Sequence, residues 1–322
     1  MISFSYPLNG NCNKECLIII WKDIDSSKYP LEGSESVESP LPVYSFHKIP
    51  YDLANPDTKY ILPDFLQEIS GMSYYDKDKI ACIQDEKAII YILTLEKKKI
   101  TSKYYFGKGG DYEGIAIAGK TAFALKNCGE IYEIENFNKK DRKVKKYKTP
   151  LSLKNDTEGL CFDPGTNSLL IVCKGSQSIE KENAFEGHRS IYSFDLEEKK
   201  LNKKPHYLID LKKIDNYKDY SLFTKFSIKI AKKLRLIENE IIFQPSGIAI
   251  HPIHDEIYII SNIGKLLIVL DRSGKVLDVK DLDSKLFIQP EGICFSPGGD
   301  LFISNEGQGG KGYILRFKYQ RH

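Results

Sequence analysis

Three glutamates in this chain share one local setting. Glu113-Gly114-Ile115-Ala116-Ile117, Glu158-Gly159-Leu160-Cys161-Phe162 and Glu291-Gly292-Ile293-Cys294-Phe295 each set a carboxylate before a glycine and an apolar–small–apolar run. If the fold repeats that position around a common point, three carboxylates meet. Ca²⁺ takes about six to eight oxygen ligands at roughly 2.3–2.6 Å, so Glu113, Glu158 and Glu291 are the candidate metal ligands. Without a cation, gathered carboxylates raise one another's pKa. Two other readings stand beside this one: the Glu-Gly pairs bond backbone amides of the neighbouring unit and hold the architecture, or one carboxylate is directly catalytic. Asp85, Lys126, Lys174, Asn262, Asn305 and Glu306 follow apolar runs at matching places in the repeat and are the candidate binders of a small polar ligand. Lys126 and Lys174 could also neutralise the glutamates by ion pairing.

Other chemistry is poorly represented, and no catalytic residue can be assigned. The six histidines (47, 188, 206, 251, 254 and 322) show no HExxH spacing. His251 and His254 flank a turn and read as turn residues. Gly107–Gly110 and Gly307–Gly312 are glycine-rich, but neither matches a phosphate loop. Seven cysteines are present, and Cys82, Cys161, Cys173 and Cys294 fall inside strand-like runs, as small buried thiols do. Cys12 and Cys16 form the close pair, open to a local disulfide or to acylation of Cys12.

The elements that must position these groups follow from the repeat. The phrase also occurs as Ser70-Gly71-Met72-Ser73-Tyr74 and Ser246-Gly247-Ile248-Ala249-Ile250, so the five glycines lie 43, 45, 88 and 45 residues apart. A fixed period of this size marks a solenoid, propeller or array. Each unit reads as four short strands rich in β-branched and aromatic residues, which selects an all-β propeller of four-stranded blades. The residues one and three after each glycine are large and the one between is small, so one face of the first strand is bulky and the other slim for blade packing. The strands of a blade alternate in direction, which puts Glu113, Glu158 and Glu291 with the second-strand exits around one mouth of the axis. Five blades are expected, a degenerate sixth being the alternative account of the 88-residue interval. In that interval Phe223, Phe226, Ile230 and Leu234 recur at helical spacing among Lys225, Lys229, Lys232, Lys233 and Arg235. An amphipathic helix inserted at about 211–243 follows, solvated or offered to a protein partner or anionic surface. The last unit has three strands before the chain ends, and residues 43–53 are expected to supply its fourth, closing the ring.

Residues 1–40 are polar and aperiodic and read as a poorly ordered arm, with the propeller over 41–322. At 322 residues and 41% hydrophobic the chain can bury a substantial core. A net charge of +3 does not suggest nucleic acid. The basic run Lys139–Lys148 reads as an exposed outer strand. No apolar run reaches the ~18–20 residues of a membrane span. A monomer is expected. Its compartment stays open: cytoplasmic if the start is genuine, periplasmic or lipid-anchored if a leader is missing.

The phrases Leu62-Pro63-Asp64-Phe65-Leu66-Gln67-Glu68-Ile69-Ser70-Gly71 and Gln84-Asp85-Glu86 resemble the opening of the SdiA-regulated family of bacterial propeller proteins. Asp111-Tyr112-Glu113-Gly114, Thr157-Glu158-Gly159-Leu160, Gln244-Pro245-Ser246-Gly247, Gln289-Pro290-Glu291-Gly292 and Ile303-Ser304-Asn305-Glu306-Gly307 match its later phrases, from about residue 43 to 318. The resemblance implies a propeller, often exported or lipid-anchored, with no established activity for the family at large. More distantly the chain is similar to calcium-dependent lactonase and phosphotriesterase propellers, which use an axial metal with carboxylate and Asn ligands. No histidine is expected at the mouth to serve as the base of such a hydrolase.

Overall fold

The computed structural model describes residues 47–180, 184–216 and 243–321. Its strands form five four-stranded antiparallel sheets arranged as the blades of a ring. The innermost strands are Ile69–Asp76, Tyr112–Ala118, Thr157–Asp163, Gln244–Ile250 and Pro290–Phe295, in blades 1 to 5. Each carries one glycine phrase. The second strands are nearly pure apolar runs, such as Ser168–Cys173 and Leu301–Asn305, buried on both faces. The outer strands bury less: Lys99–Tyr105 alternates exposed and half-buried residues, and Lys143–Tyr147 is almost wholly exposed. This gradient is what a wedge-shaped blade requires, since only its inner strands touch neighbours on both sides.

The core is five separate clusters, one in each interface between blades. The alternation along the inner strand explains it. In blade 2, Ile115 packs back against blade 1 while Ala116 faces blade 3. In blade 5, Ile293 packs back against blade 4 and Cys294 faces blade 1.

The ring is closed by the first described strand. Thr58–Ile61 pairs antiparallel with Tyr313–Phe317 and completes blade 5. The expectation had this role earlier, at 43–53; the described part of that stretch, 47–53, forms no strand. Its residues pack instead. Ile49 and Tyr51 enter the cluster between blades 4 and 5. The Tyr51 hydroxyl donates to the Gly299 carbonyl at 2.6 Å. His251 is fully buried beside it. His251 Nδ1 accepts the N–H groups of Ile253 and His254, both at 3.1 Å, so Nε2 carries the hydrogen and donates to Tyr51 at 2.7 Å. Burial pushes this imidazole down to about 4. The turn reading of His251 thus holds, with a structural tie added.

The long interval contains no sixth blade among the described residues. Blade 3 has its fourth strand in two pieces, Lys200–Leu201 and Tyr207–Asp210, both paired with His188–Asp195. A short helix, Leu211–Asn216, follows. The expected amphipathic segment from Leu222 to Leu236, with Lys229, Lys232 and Lys233, lies outside the described residues, as do the arm over 1–40, Cys12 and Cys16.

Candidate functional site

At every glycine phrase the ladder between the first and second strands slips by one residue. Ile69 pairs with Gln84 and Gly71 with Ile83, which leaves Ser70 without a partner. Glu113, Glu158 and Ser246 are left out in the same way, and in blade 5 Glu291 and Gly292 share the single place opposite Ser304. A bulge bends its strand and re-aims the extra residue. Here it gathers five bulge residues at the axis.

The glycines explain how closely they gather. A Cβ on Gly71 would lie 3.0 Å from Gly114 Cα, and one on Gly159 would lie 3.1 Å from Gly247 Cα. On Gly292 it would meet Met72 Cγ at 3.0 Å, which returns to blade 1. Each glycine abuts the next blade, and the set closes a narrow waist. At the waist itself the glycines, with Ser70, Glu113, Ser246 and Glu291, line a cavity of about 10 Å³, room for one water-sized occupant.

The bulge residues divide by type. Ser70 Oγ donates to the Tyr112 carbonyl at 2.6 Å, and Ser246 Oγ to the Pro290 carbonyl at 2.7 Å. Both bonds cross to the next blade, so the clamping role belongs to the serines. The glutamates bond side chains instead: Glu158 Oε1 accepts from Lys174 Nζ at 2.6 Å, and Glu291 Oε1 accepts from the Asn262 amide at 2.5 Å. Burial, then the charges of Glu158 and Asp111, pushes the Glu113 carboxyl far above its usual range. Glu158 is also raised by burial, with Lys174 pulling the other way. Glu291 is pushed up to about 8 by burial, against the Asn262 hydrogen bond, and Glu306 to about 7 by burial and the charges of Asp85, Glu68 and Glu158. Asp85 is raised by burial and then by Glu68, Glu86 and Asp111, while accepting the Glu86 N–H.

Of the expected ligand residues, Asp85, Lys174, Asn262 and Glu306 thus fall within reach of this acidic mouth. Lys126 is placed against aromatic rings instead: its ammonium lies 4.9 Å from the centre of the Tyr112 ring and 5.5 Å from that of Tyr132. The cause is the register, which pairs Lys126 with Tyr112 and directs its stem toward the blade's aromatics. Asn305 is fully buried, and neither of its amide atoms has a hydrogen-bond partner. It stands opposite Pro290, next to Glu291 in the chain.

The structure adds members that the repeat alone did not indicate. Glu68 precedes the first strand of blade 1, and Asp111 precedes that of blade 2 and bonds the Asn127 amide. Asp156 stands 3.7 Å from Lys174 Nζ. Lys265 Nζ donates to the Ile288 carbonyl at 2.5 Å, and burial lowers its pKa to about 8, with Glu291 opposing. Their signal was position in the repeat: residues at strand entries and second turns belong to the mouth even outside the glycine phrase. His188 opens the third strand of blade 3, two strands out from the axis, and its Nδ1 lies 3.0 Å from the Glu186 carbonyl.

Carboxylates and an unpaired Asn amide are oxygen donors of the kind a hard cation takes. The carboxylates do not converge on one point. Among the described residues no three His, Cys, Asp or Glu side chains stand in an arrangement that would hold a metal ion, because Glu158 turns to Lys174 and Glu291 to Asn262. No helix among the described residues is long and apolar enough to cross a membrane.

No protein-family model matches the chain, and no curated protein matches it. Solved structures share the fold. The glutaminyl cyclase of Myxococcus xanthus is similar at 12% identity and a TM-score of 0.51, over 82% of this chain and 95% of that one. The WD40 repeats of RRP9 (11% identity, TM-score 0.46) and a streptogramin B lyase (10%, 0.45) are each similar over 81% of this chain and 97% of theirs. At 12% identity the likeness to the glutaminyl cyclase shows the fold alone.

Proposed function

We propose that this propeller binds an oxygen-ligated divalent cation, Ca²⁺ by preference, at the mouth formed by Glu113, Glu158 and Glu291. One observation supports the reading: Glu113, Glu158 and Glu291 stand on equivalent bulges with carboxyl pKa values driven upward, chiefly by burial, and Glu113 and Glu291 line a small space on the axis. A cation there offsets the burial and mutual repulsion of these groups. The unpaired Asn305 amide supports it, since a buried polar group without a partner costs about 1–3 kcal/mol. Binding requires Lys174 to leave Glu158. The test is calorimetry of chelator-treated protein titrated with Ca²⁺, with melting followed in parallel. Heat and a raised melting temperature are expected, both reduced in Glu291→Gln. No heat and no shift would refute the proposal.

A second reading is a metal-dependent hydrolase of lactones or phosphoesters. It draws on Glu306, a carboxyl brought near neutrality as a general acid or base must be. A panel of lactones and aryl phosphoesters tests it; hydrolysis unchanged by Glu158→Gln and Glu306→Gln would remove the chemistry from this site. We also propose that the chain is a propeller of the SdiA-regulated type, on the phrases from Leu62 to Gly71 and Gln84 to Glu86.

A further inference from the structure

Below the glycine waist, on the side away from the glutamates, the axis widens into a chamber of about 140 Å³. We propose that this chamber is a binding site for a small uncharged aromatic or alicyclic molecule, distinct from the acidic mouth. Its inner walls are the residues one after each glycine, from Met72 to Ile293. Its rim is formed by the residues three after, among them Tyr74, Phe162 and Phe295. No Asp, Glu, Lys, Arg or His lines it. The two wall thiols, Cys161 and Cys294, are held in the neutral form by burial.

Size and chemistry select the ligand class. A cavity of about 150 Å³ is large enough for benzene, so on volume a single-ring or small fused-ring molecule fits this chamber, which differs in being open at its rim. A charged ligand would lose its hydration with no counter-charge in the wall. Some polarity is available nonetheless. Each innermost strand pairs on one side only within its sheet, so its other edge presents backbone N–H and C=O groups to the axis. One of these, the Ile117 N–H, is already taken by Ser73 Oγ at 3.2 Å. The remaining edge suits a ligand with a single hydrogen-bonding group, such as the N–H of indole. The waist makes the chamber blind, since beyond it the axis narrows to about 10 Å³. A ligand therefore enters and leaves by the rim.

Indole, benzene and benzoate are the probes, used on the full chain with and without EDTA. Near-saturating indole is expected to raise the melting temperature by about 2 °C, with or without chelator. Benzene should act similarly and benzoate should not. Ile117→Trp places a large ring at the half-buried rim and should abolish the indole shift while keeping a cooperative melt. If that variant fails to fold, a xenon-pressurised crystal of the unaltered protein decides the matter, with xenon expected on the axis between Ile117 and Phe295. No indole or benzene shift together with no axial xenon would overturn the proposal. So would benzoate binding as well as indole, or an indole shift surviving in Ile117→Trp.

Discussion

Lys174 Nζ lies 2.6 Å from Glu158 Oε1 and 3.7 Å from Asp156 Oδ2. The lysine thus holds a positive charge against the acidic mouth, where an added cation would compete with it. Lys174→Met should lower the stability of the metal-free protein, because the buried Glu158 loses its charged partner. The same change should tighten Ca²⁺ binding by roughly fivefold, or about 1 kcal/mol, the scale of a partly exposed ion pair. Calorimetry and melting of the variant beside the unaltered protein measure both effects. Weaker Ca²⁺ binding in the variant would mean that Lys174 belongs to the site rather than competing for it.

The mouth carboxyls set a pH dependence. Glu291 is raised from 4.5 to about 8 and Glu306 from 4.5 to about 7. Between those limits the unfolded chain has released protons that the folded chain retains, so metal-free stability falls as pH rises from about 5 to about 8. Glu113 and Glu158 act in the same direction, and the shift of Lys265 lies above this window, from about 8 upward. His251 has the opposite sign: its depressed pKa costs stability as pH falls from 6.5 toward about 4. Melting of chelated protein across this range is expected to decline on the alkaline side. Ca²⁺ should restore more at pH 8 than at pH 6.

The waist leaves no room for a methyl group. Gly114→Ala would bring its Cβ to 2.7 Å from Leu160 Cβ and 2.8 Å from Leu160 N. That contact is largely backbone of the next blade and cannot turn aside, so a loss of about 1–3 kcal/mol is expected. Gly119 is the control: it has φ +60° and nothing within 4 Å of a built Cβ. Gly119→Ala should cost about 1 kcal/mol, from backbone strain alone. Urea denaturation of the two variants separates crowding from strain.

Tyr51→Phe removes the hydroxyl that joins His251 to the Gly299 carbonyl. It leaves a buried donor and a buried acceptor without partners, at about 1–3 kcal/mol. A lower urea midpoint with an unchanged slope is the expected result. An unchanged midpoint would show that the apolar packing of Tyr51 alone holds this corner.

Much of this arrangement was legible in the sequence, because the glycine phrases recur in phase and each marks an inner strand. The blade count and the placing of the three glutamates on equivalent inner-strand bulges followed from that periodicity. The closing strand was misplaced for a physical reason. Tyr44 to Ile49 has the composition of a strand, whereas Thr58–Ile61 is only four residues long and fully buries one of them, Tyr60. Its place is fixed by pairing with Tyr313–Phe317, which no local pattern records. Side-chain direction was equally hidden. A bulge decides which residue turns to the axis, and a register decides that Lys126 meets Tyr112 while Lys174 meets Glu158.

The closing pair also bears on how the ring is made. Of the described strands, Thr58–Ile61 is the first to be translated and Tyr313–Phe317 the last. Tyr51 and Gly299, whose hydrogen bond secures the same join, are 248 residues apart. Until the ribosome has delivered the final blade, the nascent chain carries an unmatched strand and four blades with an open seam. Such edges invite pairing with other chains, so the protein's hazard lies in biogenesis, before the finished disc exists.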